Sequence, residues 1–276
     1  MNRLFVVDKP LHLSSNFYLR KIKRKYKTKK AGFSGTLDPF ACGSLIVAFG
    51  QYSKLFRFLK KTPKTYRTTV WIGAISDSLD NENVTILNNQ PIPNQNKIEE
   101  ELKNLVGKLE YLPPKYSAKK IDGKRAYDLA RAGVDFETKK VISTIYDIKF
   151  INYNYPFISF DITVSEGSYI RSIAQVLLDR LEVVGTLSYL ERLNEGDLKY
   201  EDEKALNPIY FIDLPINNYS GTKEWFELGK KLDIEYFMIK ANGQYLIVFD
   251  DFFSIIEIED REVKYILNRV LFSNSN

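Results

Sequence analysis

Among 276 residues there is one cysteine, Cys42, and one histidine, His12. A single thiol cannot close an intrachain disulfide, and one Cys with one His cannot furnish a typical structural zinc site. The chain must therefore hold its shape without an intrachain disulfide or such a zinc site. Its length suffices for one large domain with a small appendage. The same scarcity narrows the chemistry. A Ser-His-Asp triad would need His12, which stands outside any nucleophile motif and reads as structural. Acid–base work then falls on carboxylates, tyrosines or lysines. No glycine-rich strand-to-helix turn of the dinucleotide-binding type occurs, which speaks against a methyltransferase.

No segment approaches the roughly 18 uncharged apolar residues of a membrane helix. Met1 to Asp8 lacks the apolar stretch and cleavage site of a signal peptide and reads as a first strand, so a cytoplasmic protein is expected. The net charge of +5 is unevenly spread. Arg20 to Lys30 carries eight basic residues and no acid, with Lys21, Lys23 and Arg24 at its centre. A second group, Lys115, Lys119, Lys120, Lys124 and Arg125, is interrupted only by Asp122. Either run alone could be a solvated face; together they favour a phosphate backbone as partner.

Ser14 or Ser15 caps a helix whose Tyr18, Ile22 and Tyr26 recur every four residues. Ala31 to Pro39, with two glycines and a terminal proline, reads as a loop, and Leu45 to Phe49 as a buried strand. Leu55 to Leu59 suggests a short helix, Tyr66 to Ile72 a strand, and Ile98 to Leu105 a helix. Segments 141–152 and 157–164 pair as a hairpin. Ser168 opens the clearest helix, with an apolar stripe through Ile170, Ile173, Ala174, Leu177, Leu178 and Leu181. Beyond about residue 212 the chain becomes β-rich and more acidic: either a reduced accessory domain or a packed extension.

The segment Gly35-Thr36-Leu37-Asp38-Pro39 carries the candidate catalytic residue. The glycine frees the backbone and the proline restricts Asp38, so a carboxylate at the end of this loop can project into a cleft. A turn aspartate ahead of proline is also common. The wider run AGFSGTLDPFACGSLIVAFGQYSK resembles the catalytic loop of the TruB family of tRNA pseudouridine synthases. Further segments resemble that family in order: Asp8-Lys9-Pro10 with Ser14-Ser15; Lys64-Thr65-Tyr66-Arg67; Pro113 to Lys119 continuing to Gly133; then Gly167 to Arg171 and Tyr189 to Leu193. The likeness spans about residues 1–212.

The resemblance implies an α+β pseudouridine synthase fold, with a mixed, mainly antiparallel sheet and a catalytic cleft. Residues 1–212 would form the catalytic domain, with an RNA-binding insertion at about 111–140. Residues 213–276 would be a reduced PUA-like segment. The expected activity is isomerisation of uridine to pseudouridine in the T-loop of tRNA, at position 55 of that RNA, with Asp38 as catalytic carboxylate. Tyr66 would stack on the extruded base, Arg171 would pair with Asp38, and Tyr169 and Leu190 would line the base site. Phe33 stands where the family carries a histidine that helps displace the base, and could wedge into the vacated stack. His12 stands where the family commonly has glycine. Lys9 is either structural or a substrate contact. Lys21, Lys23, Arg24, Lys119, Lys120 and Arg131 would grip RNA. No cofactor or metal is expected, because the reaction oxidises nothing and imports no group. The tRNA T-arm is the expected partner of a monomer with no membrane or required protein partner. A tRNA-folding chaperone, or an RNA-binding module without chemistry, is the alternative reading.

Overall fold

The computed structural model describes residues 1–117, 120–121, 123–136 and 138–273. Its main sheet is built from β1 (Arg3–Lys9), β2 (Ala31–Ser34), β3 (Cys42–Phe49), β4 (Lys64–Ile72), β5 (Gly107–Tyr111), β6 (Val141–Asn154), β7 (Phe157–Val164) and β8 (Gly185–Glu195). The order across the sheet is β1-β3-β8-β4-β7-β6-β5; β2 flanks β3, and the short piece Leu198–Lys199 pairs with β8. Every pairing is antiparallel except β3 with β8, which runs parallel through Glu191–Cys42 and Arg192–Gly43. The mixed, mainly antiparallel sheet is therefore the observed architecture.

Alternation along the strands decides what each face buries. On β4, Lys64, Tyr66, Thr68, Val70 and Ile72 point inward while Arg67 is exposed. Helices α1 (Ser15–Lys25), α2 (Gln95–Asn104) and α4 (Ile170–Arg180) cover that face, and a short α3 (Ala126–Arg131) lies between α2 and α4 in the chain. Ile22, Ile98, Leu102, Ile173, Leu177 and Leu178 join the sheet residues in one buried cluster. The apolar spacing of α4 thus fills the core as its sequence requires.

On β1 and β3 both faces are buried. Phe5, Val7, Leu45 and Val47 face the helices. Leu4, Val6, Ile46 and Ala48 face a second cluster that includes Leu246, Phe253, Ile255 and Val270. These belong to a separate sheet of β9 (Gly243–Val248), β10 (Phe252–Glu259) and β11 (Glu262–Leu271), which follows a helical turn, α5 (Lys223–Leu228). Strand-rich character in this region is as the sequence indicates, but β11 escapes pattern reading. Its acidic start and half-buried residues give no clean alternation.

Two local expectations are corrected. Residues 31–34 are not loop but strand β2, pairing with β3 from Ala31–Phe49 to Ser34–Ile46; only Gly35 onward leaves the sheet. The helical turn read at Leu55 to Leu59 falls instead on Gly50–Lys54, as a 3-10 helix. Tyr52, Leu55, Phe58 and Leu59 then drop into the second cluster.

Candidate active site

Strand β3 changes neighbour along its length, and the candidate catalytic loop emerges at the change. Its C-terminal half pairs with β2, while its first residues, Cys42 and Gly43, pair with β8. Residues 35–41 leave the sheet at this seam. Leu37 and Phe40 are buried on either side of Asp38 and anchor the loop by their apolar bulk. The hydroxyl of Ser15, at the head of α1, accepts from the Leu37 amide and donates to its carbonyl, both at 2.9 Å. The His12 amide donates to Pro39 O at 2.7 Å. What remains projecting is the Asp38 carboxyl, 37% exposed. It looks into a cleft of about 420 Å³ lined also by Tyr66, Tyr169, Arg171 and Leu190, a volume within the ordinary range for small-ligand sites.

Arg171 reaches Asp38 from the first turn of α4, with Nη2 at 2.8 Å from Oδ2. The guanidinium is 5% exposed and heavily engaged. Nη1 donates to Ser78 O at 2.6 Å, Nη2 to Tyr116 O at 2.8 Å, and Asp80 Oδ2 lies 3.4 Å from Nη1. One buried cation therefore serves two carboxylates. Asp80 accepts from the Ser78 hydroxyl and the Glu82 amide. Even so, burial pushes its pKa up to about 6, against those hydrogen bonds and the Arg171 charge. Asp80 has no motif to announce it; only the turn residues Ser76, Ser78 and Asp80 hint at a structured loop.

The other expected base-site residues are brought together. Tyr66 and Leu190 sit on the neighbouring strands β4 and β8 and are nearly buried. Tyr169 is the residue just before α4, and its amide donates to the Tyr111 hydroxyl at 2.9 Å; burial raises the pKa of its own phenol. Two residues apart, Tyr169 and Arg171 both line the cleft because the N-terminus of α4 points into it.

Lys9 and Phe33 do not line the cleft. Lys9 is fully buried and donates to the carbonyls of Pro10 (2.9 Å) and Leu13 (2.7 Å). Burial holds its pKa down to about 8, although Cys42 and Asp38 nearby oppose the shift. Its ammonium thus lies beneath the 10–13 turn. His12, at the tip of that turn, has φ +62°, a region that favours glycine and that His enters more readily than most residues. The backbone there keeps a glycine-like shape. Phe33 is half-buried on β2, opposite Val47, against the main cluster.

Lys21 and Arg24 are exposed on α1 and Lys23 is half-buried. Lys119 lies outside the described residues, as do the side chains of Lys120 and Arg131; the backbone of Lys120 forms a short strand and Arg131 closes α3. Among the described residues no group of acids, Cys and His is arranged to hold a metal ion.

Beneath the loop lies a charged cluster that pattern reading does not reveal. Arg192, on β8 and 2% exposed, donates from Nε to Ser44 O (2.8 Å) and from Nη2 to Gly35 O (2.9 Å). Its guanidinium thus laces the seam where β2 and β3 part. Glu195, fully buried, lies 3.0 Å from Arg192 Nη2 and 2.9 Å from Lys64 Nζ; these are ion pairs whose angles depart from hydrogen-bond geometry. Gly35 has φ +66°, and a Cβ there would stand 2.9 Å from Glu195 Oε2 and 3.1 Å from Arg192 Nη1. Only glycine fits.

A model of the TruB family pseudouridylate synthase N-terminal domain matches residues 23–170. The chain is 56% identical over 270 residues to a tRNA pseudouridine synthase B of a Sulfurovum species, covering 98% of each. It is 51% identical over 270 residues to a tRNA pseudouridine synthase B of a Nitratiruptor species, again covering 98% of each. By shape it is similar to a chain of a Cbf5-Nop10-Gar1 complex, with TM-score 0.67 and 18% identity over 98% of this chain and 84% of that one. That last likeness speaks for the fold.

Proposed function

Because this chain belongs to the TruB family of pseudouridylate synthases, we propose that it isomerises a uridine in the T-loop of tRNA, with Asp38 as the catalytic carboxylate. As a tRNA pseudouridine synthase it is an isomerase: the N1–C1′ glycosidic bond breaks, the uracil turns, and a C5–C1′ bond replaces it. The C5 proton is lost to solvent and N1 gains one, so nothing is oxidised. The observation that carries the assignment is the Asp38 carboxylate at the cleft mouth, 2.8 Å from a buried guanidinium.

The support for each role is geometric. The loop clamps hold the Asp38 backbone, and the Arg171 guanidinium fixes the direction of its carboxyl. A carboxylate so placed serves either attack on the sugar or base, or removal of a ribose proton. Reaching it requires the base to leave its stack, and Tyr66 and Leu190 offer an aromatic and an aliphatic wall for the extruded ring. Both acid and guanidinium come from one chain, so a monomer suffices. The exposed cations of α1 are assigned to the RNA backbone.

Release of tritium from C5-labelled uridine in a T-arm transcript tests this. Asp38→Asn should abolish turnover while the affinity for RNA stays within about threefold. Retained turnover in that variant would refute the role of Asp38.

A further inference from the structure

We propose that Lys61 and Lys64 form a seat for one phosphodiester of the RNA backbone, and that Glu166 is an internal counter-ion occupying the seat until RNA displaces it. The proposal rests on RNA being the substrate and adds a subsite to that reading.

Both lysines are held from behind. Lys61 Nζ donates to Ser34 Oγ at 3.1 Å, and Lys64 Nζ lies 2.9 Å from the buried Glu195. Their side chains are only 15% and 8% exposed, so neither ammonium is free to sweep through solvent. Glu166 is placed differently. Its side chain is 59% exposed, and Oε1 stands 3.5 Å from Lys61 and 3.9 Å from Lys64, longer than a well-formed charged hydrogen bond. Among the described residues its carboxylate has no other partner, and Gly167 follows it at φ +81°. Two fixed cations thus share one loosely held anion.

The location matters as much as the charges. Glu166 lines the catalytic cleft and also a second cavity of about 390 Å³, bordered by Arg57, Lys60 and Lys61. The seat is therefore at the junction of the two, beside the place where the base is to enter. A strand whose base lies against Tyr66 and Asp38 would bring a neighbouring phosphate to this rim. A phosphodiester offers two non-bridging oxygens, sharing one negative charge, where Glu166 Oε1 now stands. Swapping one anion for the other leaves the lysines neutralised and releases the carboxylate into water.

The exchange predicts a gain of binding on removing an acid. Anisotropy titrations of a T-arm hairpin and of a full tRNA transcript, at two salt concentrations, would compare the parent chain with Glu166→Gln. Glu166→Gln should bind about five- to tenfold more tightly at low salt, with a steeper salt dependence, as for about one more phosphate neutralised. In a Lys61→Met background the gain should shrink below about twofold, because the seat is already broken. An equal gain in both backgrounds would overturn the seat and leave only through-space repulsion. Unchanged or weaker binding by Glu166→Gln would overturn it outright. Tritium release by the parent is followed in parallel. Release from tRNA but not from the hairpin would sink the T-loop assignment while the seat is still read on tRNA.

Discussion

Asp80 is a carboxyl whose chemistry departs from its type. An ordinary buried acid beside an arginine has a depressed pKa, and this one is raised to about 6. The sign of the linkage follows. Between about pH 4 and 6 the folded chain holds the Asp80 proton more tightly than the unfolded chain does, so stability falls as pH rises through that window. Asp80→Asn removes a buried charge while keeping an acceptor for Ser78 and Glu82. It should raise stability at neutral pH by about 2–3 kcal/mol, read from urea unfolding. Activity should move the other way. In the parent, turnover should decline as pH drops through about 6, when Asp80 is protonated and Arg171 loses one of its two acids. In Asp80→Asn the rate should be low throughout and that acid limb absent. An acid limb kept at the same midpoint would assign it to another group.

At the scale of elements, the seam between β2, β3 and β8 is where packing and site geometry meet. Arg192→Met would keep the apolar stem but leave Glu195 buried with Lys64 alone, and strip the carbonyls of Gly35 and Ser44 of their donor. A loss of about 3–5 kcal/mol is expected, measurable by chemical denaturation; a loss under about 1 kcal/mol would show the seam to be held by backbone alone. On α1 the test is electrostatic. Neutralising Lys21, Lys23 and Arg24 together should weaken tRNA binding and flatten its salt dependence, by about 0.7–0.9 in log–log slope for each phosphate no longer neutralised. An unchanged slope would reduce the helix to a solvated face. The sequence shows these elements unevenly. The loop at Gly35 to Pro39 and the head of α4 are legible because each is a short contiguous motif with its own turn and capping chemistry. Asp80 and Glu195 are not, since Arg171 reaches Asp80 from the head of α4 and Lys64 reaches Glu195 across a strand pairing, each from far away in the chain. Strand β2 is missed because four residues beside two glycines give too short an alternation to outweigh the turn signal.

Taken whole, the described residues form three apolar clusters: two lie on either side of β1 and β3, the second closed only when the C-terminal sheet is in place, and a third gathers around Phe226, Phe252 and Ile256. Leu246, Phe253, Ile255 and Val270 of that sheet cover Leu4, Val6, Ile46 and Ala48, and Tyr52 packs against Phe253 with ring centroids 6.3 Å apart. Deleting residues 213–276 would return several large side chains to water, each at about 1.5–3 kcal/mol. The truncated chain should lose its cooperative thermal transition or aggregate; a soluble, cooperatively melting product would mark residues 1–212 as self-sufficient. The same arrangement explains why β3 has no exposed face.

Arg171 spends both ends of its guanidinium on the protein itself, Nη1 on Ser78 and Asp80 and Nη2 on Tyr116 and Asp38. With that cation already subscribed and only 5% exposed, an entering nucleotide meets the more open carboxyl of Asp38. The arginine is thus a fixed anchor for the acid rather than a hand held out to the substrate.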